Sequence, residues 1–91
     1  MVISEILRKE CIAAGAHFKS KAETLREIAR IAKKCDVFDN IGENEIISAL
    51  DKREKLGSTG FGKGIAIPHC RLKDISEFVL GIVTITDGVE F

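Results

Sequence analysis

Apolar positions recur at helical spacing in two stretches of this chain and run together without interruption in a third. After Ser20, the residues Leu25, Ile28, Ala29, Ala32 and Cys35 fall on one face of a predicted helix. Ser20-Lys21-Ala22-Glu23 has the form of a capping box, in which serine and glutamate side chains accept from amides that the helix start leaves without partners. Lys33 and Lys34 fall in the last turn, where the carbonyl end of the helix favours cations. A second helix is predicted to begin between Asn40 and Asn44, to bury Ile46, Ala49 and Leu50, and to stop at Gly57, a residue suited to a left-handed C-terminal cap. One more turn along that face lands on Arg53. An arginine there either lays its stem on apolar surface and pairs with a carboxylate, or reaches past the helix end toward a bound anion. Periodicity leaves both open.

The segment Gly57–Gly64, GSTGFGKG, carries four glycines in eight residues and reads as a loop. Ile65-Ala66-Ile67 then reads as a short strand, stopped by Pro68, which has no amide hydrogen to donate. The uncharged, β-branched run from Phe78 to Thr86 reads as a buried strand. Met1–Phe18 is the least determined part: Ile3, Ile6 and Leu7 fit one helical turn, and Ile12–Phe18 fits a strand or a connection. Two helices with such strands predict an α/β fold. A fully apolar strand needs cover on both faces, more than two helices and about three strands comfortably supply. The chain is therefore expected to be part of a larger domain.

Composition narrows the function. The 91 residues are one domain at most, and 45% apolar with 31% charged residues excludes a disordered chain. The longest uncharged run, nine residues, is far short of the roughly 20 needed to span a bilayer, so no direct membrane insertion is expected. The start, MVISEILRKE, has no basic flank before an apolar run and does not read as a secretory signal. Fourteen basic residues balance fourteen acidic ones, which argues against a global electrostatic grip on nucleic acid or anionic lipid. The distribution is uneven, however. Residues 51–73 carry a net +4, whereas residues 74–91 hold Asp74, Glu77, Asp87 and Glu90 and no base. A small basic block around glycines suits a small anion. Cys11, Cys35 and Cys70, spaced by 24 and 35 residues, match no zinc pattern, and no metal is expected. They read as reduced thiols of a cytoplasmic protein, Cys11 and Cys35 as core filler.

Two readings compete for the glycine-rich segment. Gly57-x-x-x-x-Gly62-Lys63 begins like a nucleotide-binding phosphate loop, but Gly64 stands where that loop needs a hydroxyl for magnesium. The order is also reversed, from helix through loop to strand, so no helix N-terminus would face the phosphates. The weaker inference survives that exposed backbone amides there can cradle an oxyanion. His69 directly follows Pro68. A histidine at a turn ordinarily carries no role. This one sits at the end of a strand stiffened by proline, just after Ser58 and Thr59, and is flanked by Arg53, Lys63 and Arg71. With an ordinary pKa of about 6.5, a neutral imidazole is a nucleophile near pH 7 and can accept a phosphoryl group. Such transfer asks the protein mainly for positioning and charge stabilisation.

The seventeen residues Arg53 to Glu54, Lys55, Leu56, Gly57, Ser58, Thr59, Gly60, Phe61, Gly62, Lys63, Gly64, Ile65, Ala66, Ile67, Pro68 and His69 closely resemble the signature of the enzyme IIA domains of the fructose/mannitol class in the bacterial phosphotransferase system. That class includes the nitrogen-regulatory enzyme IIA proteins. The resemblance implies a mixed β-sheet flanked by helices, of which this chain is the N-terminal two-thirds. It implies a phosphotransferase in which His69 takes phosphate, on Nε2, from the histidine-containing phosphocarrier protein and passes it to an enzyme IIB in sugar uptake. Arg53 would stabilise the phosphoryl group; Thr59, Gly60 and Gly62 would line the loop beside it; no cofactor is implied. The alternative within the same family is a regulatory module whose partner binding is switched by phosphorylation, without sugar transport.

The chain departs from that pattern in three ways. Sugar-specific members use a second histidine beyond this point, and nothing in these residues stands for it. His17 precedes the first helix, matches no motif and reads as a solvated histidine. Cys70 invites a redox or relay role, against the plainer reading of an inert thiol. Missing final strands would expose an unpaired sheet edge, implying a homodimer or strand exchange. Light scattering should then give twice the monomer mass, and a monodisperse monomer at high concentration would contradict it.

Overall fold

The computed structural model describes residues 3–75 and 77–91; Met1 and Val2, where the least determined stretch begins, and Ser76 lie outside the described residues. A single helical turn, α1 (Ile3–Ile6), leads straight into a ten-residue strand, β1 (Leu7–Ala16). Leu7 thus opens the strand instead of completing the turn. The helix α2 (Lys21–Ala32) starts where the capping box predicts: Ser20 is extended and its Oγ accepts the Glu23 N–H at 3.1 Å. The reciprocal half falls one residue early, with the Glu23 carboxylate accepting the Lys19 N–H at 3.1 Å.

Leu25, Ala29 and Ile31 of α2 are buried, together with Cys35 just beyond it. Lys33 caps more than its own helix: its amine donates to the carbonyls of Phe38 at 2.7 Å and Ile41 at 2.6 Å, fastening the 3₁₀ turn Asp36–Phe38 beneath it. That turn buries Phe38 and Ile41 and delivers the chain to α3 (Glu43–Glu54), which starts after Gly42. Ile46 and Leu50 are buried as the periodicity requires, and Ala49 is half-buried. The helices pack on each other, and α2 on β1, where Cys11 joins the core.

The strands form two separate pairs. Strand β4 (Leu80–Ile85) lies parallel to β1, with Ile12 beside Ile82 and Ala13 beside Val83. Strands β2 (Gly60–Gly62) and β3 (Ile65–Ala66) form an antiparallel hairpin. The fold is thus α/β with parallel and antiparallel pairing. No helix among the described residues is long and apolar enough to cross a membrane.

Two expectations need correcting. The glycine-rich segment is a hairpin, not a loop. Its tip, Lys63-Gly64, has φ of +57° and +79°, the mirror-image turn that matches the twist of paired strands. Strand β3 accordingly ends at Ala66, one residue before the expected end. The run Phe78–Thr86 is not a buried strand either. Only Leu80–Ile85 is strand, and the helical layer covers one face, where Val79 and Val83 pack on the core. On the opposite face Ile82 and its neighbour Ile12 are nearly half exposed, and Phe78 is exposed ahead of the strand.

Gly81 lets β4 approach β1: a Cβ there would lie 2.6 Å from the Cys11 carbonyl oxygen and 2.9 Å from its Cβ. Backbone cannot move aside cheaply. Gly81→Ala is therefore expected to cost about 1–3 kcal/mol of stability through overpacking, read as a lower urea midpoint; an unchanged midpoint would contradict this packing.

Candidate functional site

His69 sits three residues beyond β3, exposed at the surface. Its Nδ1 lies 2.9 Å from the carbonyl oxygen of Ile67. A carbonyl only accepts, so Nδ1 carries the hydrogen of the neutral ring, and Nε2 keeps its lone pair. Among the described residues Nε2 makes no hydrogen bond. That leaves an available lone pair on the nitrogen remote from the backbone. Pro68 lies between the bonded residues and fixes its own φ, which shortens the list of positions the ring can take.

The base of the hairpin is held by a carboxylate that sequence periodicity passed over. Glu54, the last residue of α3, is buried. Its Oε1 accepts the Thr59 N–H at 3.0 Å, and its Oε2 accepts the Thr59 hydroxyl. The Lys21 amine, from the first turn of α2, lies 2.8 Å from Oε1. Thr59 is itself buried, and its carbonyl accepts the Ile67 N–H at 3.0 Å. Hydrogen bonds therefore run unbroken from Glu54 through Thr59 and Ile67 to the His69 ring. One signal could have found Glu54. It lies four residues after Leu50, on the apolar stripe, just as Arg53 lies seven after Ile46.

Arg53 is half-buried and turns toward the same corner, its Nη1 donating to the Gly57 carbonyl at 2.8 Å. One of five guanidinium donors is spent on that bond. No hydrogen bond joins Arg53 to His69 among the described residues. The Gly60 amide is engaged by the Ser58 hydroxyl at 3.0 Å, and that hydroxyl donates to the Phe91 carbonyl at 2.9 Å. Gly62, exposed with φ of +79°, holds the bend before the hairpin tip. The groove between α2 and α3, lined by Leu25, Arg26, Asn44, Ile47 and Asp51, contains none of these residues. His17 stands elsewhere, exposed, its Nδ1 3.1 Å from an Asp87 oxygen. Cys70 is half-buried against the core, and burial pushes its thiol up, which keeps it protonated and a poor nucleophile at neutral pH.

Burial by itself would raise the Glu54 pKa; the hydrogen bonds from Lys21 and Thr59 outweigh it and hold the carboxyl below its ordinary 4.5. A carboxyl so lowered stabilises the fold fully above its unfolded pKa, and the contribution is lost as pH falls through the folded value. Stability of the wild-type chain should therefore drop below about pH 4.5 by more than that of Glu54→Gln. At pH 7 the variant should be about 1–3 kcal/mol less stable. Urea titrations across pH measure both; parallel pH curves for the two proteins would contradict the assignment.

The family description "Phosphoenolpyruvate-dependent sugar phosphotransferase system, EIIA 2" matches residues 5–91. A nitrogen regulatory protein of Escherichia coli (strain K12) is 35% identical over 80 residues, covering 88% of this chain and 47% of that protein. The mannitol-specific phosphotransferase enzyme IIA component of Geobacillus stearothermophilus is 37% identical over 90 residues, 94% of this chain and 59% of that one. The crystal structure of nitrogen regulatory protein IIA-Ntr from Neisseria meningitidis superposes with a TM-score of 0.71 at 32% identity, covering 82% of this chain and 49% of that one. The chain thus spans about half the length of the nitrogen regulatory relatives it matches.

Proposed function

The chain belongs to the EIIA 2 family of the phosphoenolpyruvate-dependent sugar phosphotransferase system, and from that premise we propose that it is a phosphocarrier in which His69 is the covalent acceptor. The observation that carries this reading is the exposed ring whose Nδ1–H is held by the Ile67 carbonyl. The lone pair on Nε2 attacks phosphorus as the nitrogen–phosphorus bond of the donor, the histidine-containing phosphocarrier protein, breaks; the electron pair of that bond returns to the donor ring. Positive charge builds on the His69 imidazole during attack, and the Nδ1–H···O=C bond strengthens with it. Arg53 offers its remaining N–H groups to the equatorial oxygens, and Thr59, Gly60 and Gly62 wall the phosphoryl site. Transfer onward to an enzyme IIB reverses the step, without metal or nucleotide.

A donor that is itself a protein needs an open surface, not a deep pocket. Leu56, Phe61, Ile65 and Ile67 are all more than half exposed around the hairpin. That apolar skirt supports docking of a macromolecule. The three free cysteines and partners of this kind support a cytoplasmic setting for the reaction. A second reading, regulation without sugar transport, is favoured by the names of the nitrogen regulatory relatives. There the phosphoryl group adds negative charge and acceptor oxygens to the same surface and switches its affinity for a target. A pull-down with wild type, His69→Ala and His69→Asp separates the two: a target bound equally by all three removes the switch.

Incubation with phosphoenolpyruvate and the general phosphotransferase proteins should place an acid-labile, base-stable phosphoryl group on His69, detected by mass spectrometry. His69→Ala should take none, and Arg53→Met should react on the order of 100-fold more slowly. A wild-type chain that stays unmodified would contradict the proposal.

A further inference from the structure

We propose that Glu54 is a positioning residue for His69, acting through Thr59 and Ile67 to fix the imidazole tautomer and the aim of Nε2. The consequence for rate rests on the reading of His69 as phosphoryl acceptor; the consequence for the tautomer rests on geometry alone.

The location of Glu54 is costly in itself. The carbonyl end of α3 carries partial negative charge, which disfavours a carboxylate in the last turn. The side chain is also buried, where an apolar residue of similar volume would serve stability as well or better. What the carboxylate does that an apolar side chain cannot is accept both donors of one residue. Its two oxygens take the N–H and the hydroxyl of Thr59, so that Thr59 has a single orientation. Its carbonyl then faces the Ile67 N–H at 3.0 Å, beyond the end of the β2–β3 ladder, where the hairpin itself supplies no further pairing. With Ile67 held and Pro68 stiff, the Ile67 carbonyl meets Nδ1 of His69 at 2.9 Å. Lys21 balances the buried charge from the opposite helix. Every link is a bond to main chain or to a buried hydroxyl; Glu54 and Thr59 are buried, and the imidazole at the end is exposed.

Loss of the anchor frees Thr59 to rotate, releases Ile67, and leaves His69 to sample the tautomer with hydrogen on Nε2, which has no lone pair to attack phosphorus. A misplacement of this order costs about 10- to 100-fold in rate.

Ring nitrogen-15 NMR of His69, above the pH of ring ionisation, reads the tautomer in the 91-residue chain without any partner. Wild type should show hydrogen on Nδ1. Glu54→Ala should shift the ring toward hydrogen on Nε2, and slow phosphorylation by about 10- to 100-fold, mainly in kcat. Glu54→Gln, whose amide can still pair with both Thr59 groups, should recover the wild-type tautomer. Ile46→Val, which loosens the same helix without touching a bond in the chain, should leave tautomer and rate unchanged. Thr59→Val should shift both in the same direction as Glu54→Ala, and it carries the test if Glu54→Ala does not fold. The proposal is overturned if Glu54→Ala or Thr59→Val keeps the wild-type tautomer, or if Ile46→Val shifts it as far. A wild-type chain without phosphate on His69 sinks the acceptor reading, while the tautomers still decide the tether.

Discussion

A carboxylate buried at the negative end of a helix must be surrounded by donors or it would be protonated. In this chain Glu54 meets that constraint with Lys21 from one helix and Thr59 from the hairpin. The requirement draws together the start of α2, the end of α3 and the base of the β2–β3 hairpin. The helical core of Leu25, Ala29, Ile46 and Leu50 brings those ends close; the carboxylate determines how they meet. From there the same bonding reaches the strand end that carries His69.

The site that results is a surface. His69 is exposed beyond the end of β3, Arg53 lies in the last turn of α3, and Leu56, Phe61, Ile65 and Ile67 face outward. This arrangement suits exchange of a small charged group between proteins. The chemistry needs little covalent help from the protein, because a loose phosphoryl transition state is governed by alignment and by charge. In the proposed reading, the Nδ1 contact with a main-chain carbonyl serves the first and the Arg53 guanidinium the second.

Much of this was legible in the residues, and what was not has physical causes. The capping box at Ser20 and the stripes on α2 and α3 were readable because they depend on bonds and contacts within a few residues of each other. The Arg53–His69 block was readable as a resemblance because it is long and continuous. Strand β1 was legible only as one of two readings of its second half, because Cys11, Ala13, Ala14 and Gly15 break the alternation that marks a half-covered strand, and its partner β4 lies some seventy residues on. Strand β4 was read as buried because an apolar run cannot say how many layers cover it. Glu54 was missed because a charged residue on an apolar stripe is read as a stripe's end. Its partners, five residues ahead and in another helix, are visible only once the chain has folded.

The central claim is that His69 reacts through Nε2 because Nδ1–H is held by the Ile67 carbonyl. Phosphorus–nitrogen correlation NMR on the phosphorylated, nitrogen-15-labelled chain tests it most directly, since the two phosphohistidine isomers give distinct ring couplings. The account predicts phosphorus bonded to Nε2, with hydrogen retained on Nδ1. Phosphorus bonded to Nδ1 would contradict it.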